Sequence, residues 1–342
     1  MHSTPEPAYR VSLMSDAILK VENLKTWFYT RRGIAKAVNG MNYALHRGEC
    51  LCLVGESGCG KSVSALSLLK LYDSPPARIV EGHAFYKGVD LVNCPSEYMR
   101  SVRGKAIAMV FQNAQSAFNP VFTIGEQILE QIKAHYNISD QAALTKAKTL
   151  LEKMMIPAPE RALRMYPHQM SGGMKQRAMI AMSLSCDPEI LIADEPTTAV
   201  DVTIRAQIMH IFRGLKTGRN MSIIFITHDL SLVRELGDRA AVVYAGKVVE
   251  IAPVSKIVQE PAHPYTRGLI SCLPDISSNL KRLPFIPGNT PNPLDLPQGC
   301  AFSPRCSKAI SKCNSIEPSP MYIADDHMVA CHLYDACTGG NN

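Results

Sequence analysis

Eight consecutive residues, Gly55-Glu56-Ser57-Gly58-Cys59-Gly60-Lys61-Ser62, join small, turn-permissive positions to a cation and a hydroxyl. Gly55, Gly58 and Gly60 let a loop curl until successive backbone N–H groups point at one anion. Lys61 adds a charge that can reach β and γ phosphates, and the Ser62 hydroxyl suits magnesium. Much further along, Asp194 and Glu195 supply two adjacent carboxylates. One is suited to holding magnesium and the other to positioning or deprotonating an attacking water. Together these residue types point to binding a nucleoside triphosphate and transferring its terminal phosphoryl group to water.

Such groups work only if regular elements hold them. The apolar run Leu51 to Val54 precedes the glycine loop and a helical pattern begins at Val63, so the loop joins a strand to a helix N-terminus that faces the anion. Ile190 to Ala193 reads as a buried parallel strand delivering Asp194 and Glu195 at its C-terminal edge, where open α/β sheets bind ligands. Two more apolar runs end in polar side chains: Ile107 to Phe111 leads to Gln112, and Ser222 to Thr227 leads to His228 and Asp229. Gln127 to Lys133 and Ala142 to Met155 have apolar residues spaced for one helix face, and Pro157 and Pro159 interrupt the second of these. A helix is expected from Met174 through Ser185, opened by Ser171, Gly172 and Gly173, whose free N–H groups would make a second anion site. One phosphate loop with one extra anion site suggests that the extra site serves another subunit's nucleotide.

The segment Met170-Ser171-Gly172-Gly173-Met174-Lys175-Gln176-Arg177, followed by the Asp-Glu pair, resembles the signature of ATP-binding cassette proteins. Within that family, His263-Pro264-Tyr265-Thr266-Arg267-Gly268-Leu269 and Pro287-Gly288 resemble the oligopeptide and dipeptide importer ATPases. The likeness spans nearly the whole chain. It implies an α/β fold: a P-loop cassette with a RecA-like core, an antiparallel β subdomain, a helical subdomain and a C-terminal appendage. The expected boundaries are 15–250 for the cassette, with the helical part at about 115–185, and 251–342 for the extension.

The resemblance also implies roles. Glu195 is the expected base, Gln112 approaches magnesium and the attacking water, and His228 is a switch near the γ-phosphate. Lys61, Ser62, Asp194, Gly55, Gly58 and Gly60 hold Mg-ATP, with Ser62, Gln112 and Asp194 as magnesium ligands. Phe28 is the expected adenine-stacking aromatic, and it or Trp27 is otherwise an ordinary strand side chain. Ser171, Gly172 and Gly173 close over a partner cassette's γ-phosphate, and Ala199-Val200-Asp201 links the two nucleotide sites. Met170 and Val200 stand where leucine is usual, and both remain apolar. Phe118 and Asn119 are expected where such importers receive a short helix of the membrane partner.

The expected function is ATP hydrolysis coupled to import of dipeptides or oligopeptides. The expected partners are a homologous, distinct ATPase, two transmembrane permeases and an extracytoplasmic peptide-binding protein. Two alternatives stay open: a soluble cassette ATPase acting on a nucleic acid or protein complex, and an importer of a non-peptide ligand such as nickel.

After Glu250 proline density rises, through Pro253, Pro261, Pro264, Pro274, Pro284, Pro287, Pro291, Pro293 and Pro297, which favours turns over another long helix. In this extension Cys300, Cys306, Cys313 and Cys331 are four thiols able to bind zinc or an iron–sulfur cluster. The family resemblance selects a [4Fe-4S] site within 300–331, with zinc as the alternative and with His327 and His332 as nearby support. Cys50, Cys52, Cys94, Cys186 and Cys272 read as buried small apolar side chains.

Composition fits a folded enzyme: 46% of residues are hydrophobic and 19% charged. The net charge of +6 is compatible with an acidic ligand, yet lysines and arginines are dispersed, so no nucleic-acid partner is expected. No apolar stretch approaches the roughly 18 residues of a membrane-spanning helix, and Pro5, Glu6 and Arg10 break any secretory signal core. The expected place is the cytoplasmic face of the cell membrane, held there through the permeases.

Overall fold

The computed structural model describes residues 17–198, 200–272 and 285–338. Ala199, Pro274, Pro284 and the N-terminal Pro5, Glu6 and Arg10 lie outside the described residues. Two compact units divide the chain, one of Met1–Asn93 with Thr227–Asn342 and one of Cys94–Ile226.

In the first unit, the long strands Ala17–Thr30 and Gly33–His46 form an antiparallel hairpin around the tight turn at Arg31 and Arg32, with Thr30 opposite Gly33. Ala77–Tyr86 pairs on the other side of the first strand, completing the antiparallel β layer with the short strand Val89–Asp90. The apolar run before the glycine loop is the strand Cys50–Val54, buried at every position. It runs parallel to Arg239–Tyr244, which pairs antiparallel with Lys247–Pro253. Continuous apolarity is what a strand covered on both faces requires.

The same sheet then takes in the extension. His327–Val329 pairs with Glu250 and Ile251, and Met321–Ala324 pairs outside it. The proline-rich stretch forms short helices, Val254–Gln259 and Pro264–Ser271, and single 3-10 turns such as Ser303–Arg305. Proline occupies N1 of Pro264–Ser271, where its missing N–H costs nothing.

In the second unit, Ile107–Val110, Ile190–Asp194 and the strand Ser222–Thr227 as far as Ile226 are parallel neighbours, buried throughout. Helices Ile124–Lys133 and Asp140–Lys153 fall where the apolar spacing places them. The first starts at a capping box: the Thr123 hydroxyl accepts from the Glu126 N–H, and the Glu126 carboxylate accepts from the Thr123 N–H. Ser139 caps the second, which begins slightly ahead of the expected Ala142, and Met155 at φ 54° follows its end. Among the described residues no helix is long and apolar enough to cross a membrane.

Candidate functional site

The glycine loop is held at close quarters by its own unit. Gly55 has φ 157° and Gly60 has φ 101°, and a Cβ at either position would sit 2.3 Å from a backbone oxygen, of Val243 or Ala37 respectively. Glycine is required at both, by backbone conformation and by space. Lys61 opens the helix Lys61–Leu68 and is only 4% exposed. Its ammonium donates to the carbonyl oxygens of Gly55 at 2.8 Å and Glu56 at 2.9 Å, which fixes the cation inside the curl. Cys59 is buried beside it; burial pushes its thiol up despite the Lys61 charge, so it is a packing group and not a nucleophile.

The carboxylates belong to the second unit. Asp194 ends its strand and is 4% exposed. Glu195 follows with φ 45°, a left-handed conformation rare for a non-glycine residue. Its Oε2 accepts from Gln112 Nε2 at 3.2 Å and from the Thr198 hydroxyl at 2.9 Å, and its N–H donates to Ile226 O at 3.0 Å. Gln112 and Glu195, 83 residues apart, are thus brought together as a polar pair. Thr198 is a third member that the sequence pattern did not single out.

Ser171 is the N-cap of helix Gly172–Ser183, its hydroxyl accepting from the Met174 N–H at 3.3 Å. Ser171 and Gly172 are exposed at the start of this helix. A Cβ on Gly173 would lie 2.9 Å from Ile204, so that glycine allows close packing against the helix Val202–Arg219. Asp201 caps that helix, accepting from the Ile204 N–H at 2.8 Å. In the first unit, His228 stands exposed directly after its strand, and Phe28 lies half-buried on the strand Ala17–Thr30.

The ABC transporter family matches residues 38–198, and the family described as "Oligopeptide/dipeptide transporter, C-terminal region" matches residues 249–313. A putative peptide import ATP-binding protein of Brucella abortus is 49% identical over 311 residues, covering 91% of this chain and 93% of that protein. The oligopeptide transport ATP-binding protein AppD of Bacillus subtilis is 43% identical over 318 residues, covering 93% of this chain and 97% of its own. The chain belongs to the ATP-binding subunits of ABC transporters. A solved cassette, MJ0796, dimeric in a post-hydrolysis state with ADP and Pi, is 25% identical with a TM-score of 0.63 over 69% of this chain and 98% of that one. The fold is the α/β ABC ATPase fold with a RecA-like core, and the chain is an ATPase.

Two expectations about the ABC subunit need correction. Phe118 is 3% exposed and packs internally, whereas Val121 and Phe122, at 70% and 47%, carry the exposed apolar surface of that loop. Asn119 shapes the loop: its side-chain oxygen accepts from the Val121 N–H, and Gln127 holds its backbone at both N–H and C=O.

The second correction concerns the tail. Among the described residues no group of three or more His, Cys, Asp or Glu is arranged to hold a metal ion, so neither the [4Fe-4S] assignment nor the zinc alternative stands. Cys300, Cys306, Cys313 and Cys331 lie near enough to influence one another, but burial is the largest cause pushing up the Cys300, Cys306 and Cys331 thiols, Cys300 to about 11. Cys331 packs against Ala262 and Val329, with Met321, Ile323 and Tyr334 around them. The two histidines are engaged elsewhere, His327 with Glu250 and His332 with Asp335 and the Ile316 carbonyl.

The cassette instead fastens its extension through Glu250, which is fully buried. Oε1 accepts from the Ala262 N–H and His327 Nε2, both at 2.7 Å, and Oε2 accepts from the His263 N–H at 2.8 Å. Burial alone would raise this carboxyl's pKa, but the His327 and backbone hydrogen bonds bring it below the ordinary value. His263, 1% exposed, caps helix Pro264–Ser271 by accepting from the Tyr265 N–H at Nδ1, and burial pulls its pKa down to about 4. Unfolded His263 binds a proton from about pH 6.5 downward. Its contribution is therefore present above that pH and is lost between about 6.5 and 4, on the order of 3 kcal/mol. Glu250 acts with the same sign at lower pH. Denaturant midpoints taken across this range should fall as the solution is acidified, and His263→Asn should flatten the upper part of the profile; a wild-type midpoint constant from pH 7 to 4 would contradict this.

Proposed function

We propose that this chain is one ATP-hydrolysing subunit of a peptide importer, working with a second homologous cassette, two permeases and an extracytoplasmic peptide-binding protein, on the cytoplasmic face of the membrane. The observation that carries this reading is the coexistence of the ABC cassette at 38–198 with the oligopeptide/dipeptide transporter region at 249–313, in a chain 42–49% identical to peptide-transport ATP-binding proteins. ATP-hydrolysing capacity and membership of a peptide-importing ABC system follow from that likeness.

In this mechanism the curled backbone of 55–60 and the Lys61 ammonium receive the phosphates, a role suited to a loop with no room for side chains at Gly55 and Gly60. Ser62, Asp194 and Gln112 are assigned as magnesium ligands, and the ion when bound neutralises developing phosphate charge. The Glu195 carboxylate takes the proton of the attacking water, while the Gln112 amide and Thr198 hydroxyl fix its orientation. His228 senses the γ-phosphate, Phe28 stacks on adenine, Ser171, Gly172 and Gly173 serve the partner's ATP, and Asp201 communicates between the sites. Closure on ATP and reopening after phosphate release drive the permeases.

Val121 and Phe122 are the apolar contacts we assign to a permease. Changing both to serine should leave ATP affinity within about twofold and reduce peptide-stimulated turnover about tenfold or more, since interface anchors of this kind dominate docking. Equal loss of basal and stimulated turnover would contradict the assignment. The whole reading is tested by purifying the native complex after gentle solubilisation: two multi-span permeases with a second cassette support it, and a reproducible soluble partner without permeases overturns it.

A further inference from the structure

Two sequence features left without a role by ATP hydrolysis meet at one residue of the phosphate loop, and a third seats one of them. The His263-Pro264-Tyr265 segment presents the fully buried Tyr265, whose hydroxyl accepts from the Glu56 N–H at 2.9 Å. The cysteine-rich turn presents Arg305, 9% exposed, whose guanidinium meets the Glu56 carboxylate with both arms, Nη1 to Oε2 at 2.7 Å and Nη2 to Oε1 at 2.9 Å. Pro287-Gly288 seats that guanidinium: Pro287 O accepts from Arg305 Nε at 2.9 Å, and a Cβ on Gly288 would lie 3.3 Å from Arg305 Cγ.

Around these contacts stands an aromatic wall. Tyr244 lies 4.6 Å from Tyr265 and 5.2 Å from Phe302 between ring centroids, and the Arg305 guanidinium lies 5.9 Å from both Tyr244 and Phe302. The third handle of Glu56 is its carbonyl, which accepts from Lys61 Nζ at 2.9 Å. One residue therefore links the extension, by its N–H and its carboxylate, to the phosphate-binding lysine, by its C=O. A bidentate arginine–carboxylate pair fixes both distance and plane, which a lysine cannot do.

We propose that Tyr265 and Arg305 are positioning residues of the nucleotide site, which set the phosphate loop through Glu56 and make the C-terminal extension part of the ATP-binding apparatus. The proposal deepens the phosphate-loop reading and rests on it. Loosening the pair frees the Glu56 carbonyl and with it the Lys61 ammonium, so the effect falls on ATP affinity before it falls on turnover.

The test uses the full chain for Mg-ATP binding and the assembled transporter for turnover. Arg305→Met and Tyr265→Phe should each weaken ATP binding about fivefold to twentyfold, with kcat at saturating ATP changed less than about twofold. Arg305→Lys, which keeps charge without the fork, should recover only part of the loss, and Arg305→Met should add little in a Glu56→Ala background because the acceptor is already gone. Lys61→Ala separates the two readings. If it leaves ATP binding intact, the phosphate-loop reading itself fails. If it abolishes binding while Tyr265→Phe and Arg305→Lys, both folded, bind ATP as the parent does, the positioning role is overturned. Additive losses in Glu56→Ala and Arg305→Met would also overturn it.

Discussion

Glu195→Gln should bind Mg-ATP with near-parental affinity and hydrolyse it at least about a hundredfold more slowly in single- and multiple-turnover assays. Glutamine keeps the size of the side chain and an oxygen able to accept from Thr198, which lies 2.9 Å from Glu195 Oε2. It cannot take a proton from water. The backbone at this position is already in the left-handed region at φ 45°, and the substitution does not change that cost. A loss in kcat with KM preserved is therefore the signature of a missing base. If hydrolysis continues undiminished, the proton acceptor is another group and the Gln112–Glu195–Thr198 arrangement serves only to shape the strand end.

Glu250→Ala is the substitution expected to cost most stability, about 3–5 kcal/mol in denaturant unfolding of the full chain. It removes one carboxylate and orphans three donors at once: the Ala262 and His263 N–H groups and His327 Nε2. All lie in a region where water cannot replace the lost acceptor, since Glu250 itself is 0% exposed. Glu250→Gln retains one acceptor oxygen but turns an amide donor towards other donors, and should fall between alanine and the parent. The extension should become protease-sensitive in both variants. Parental stability in Glu250→Ala would mean that the hairpin and the aromatic cluster hold the extension without this node.

Much of the fold and of the hydrolytic half-sites was legible because their signals are local. Strand Cys50–Val54, strand Ile190–Asp194 and helices Ile124–Lys133 and Asp140–Lys153 each declare themselves within one window of apolar spacing. The glycines at 55 and 60 and the capping Ser171 announce backbone geometry that few other residues tolerate or support. What stayed hidden depends on partners far away in the chain. Glu56 looks like a spacer until Tyr265 and Arg305, 209 and 249 residues on, are seen against it. Phe118 and Phe122 are the same residue type in one short loop, and only tertiary packing makes one buried and the other exposed. The spacing of the four tail cysteines could not reveal that the described residues assemble no metal-ligand group around them.

Glu250 also bears on how such a protein can be taken apart. Its backbone belongs to the strand Lys247–Pro253, while every hydrogen-bond partner named for its carboxylate lies at residue 262 or beyond. Trimming the chain to a minimal motor would leave a stranded carboxylate in the motor, and grafting the extension onto a foreign motor would leave stranded donors in the graft. The two pieces can be exchanged between relatives only if the acid travels with its recipients, so the workable cut for a chimaera falls before Lys247, on the far side of the apparent seam.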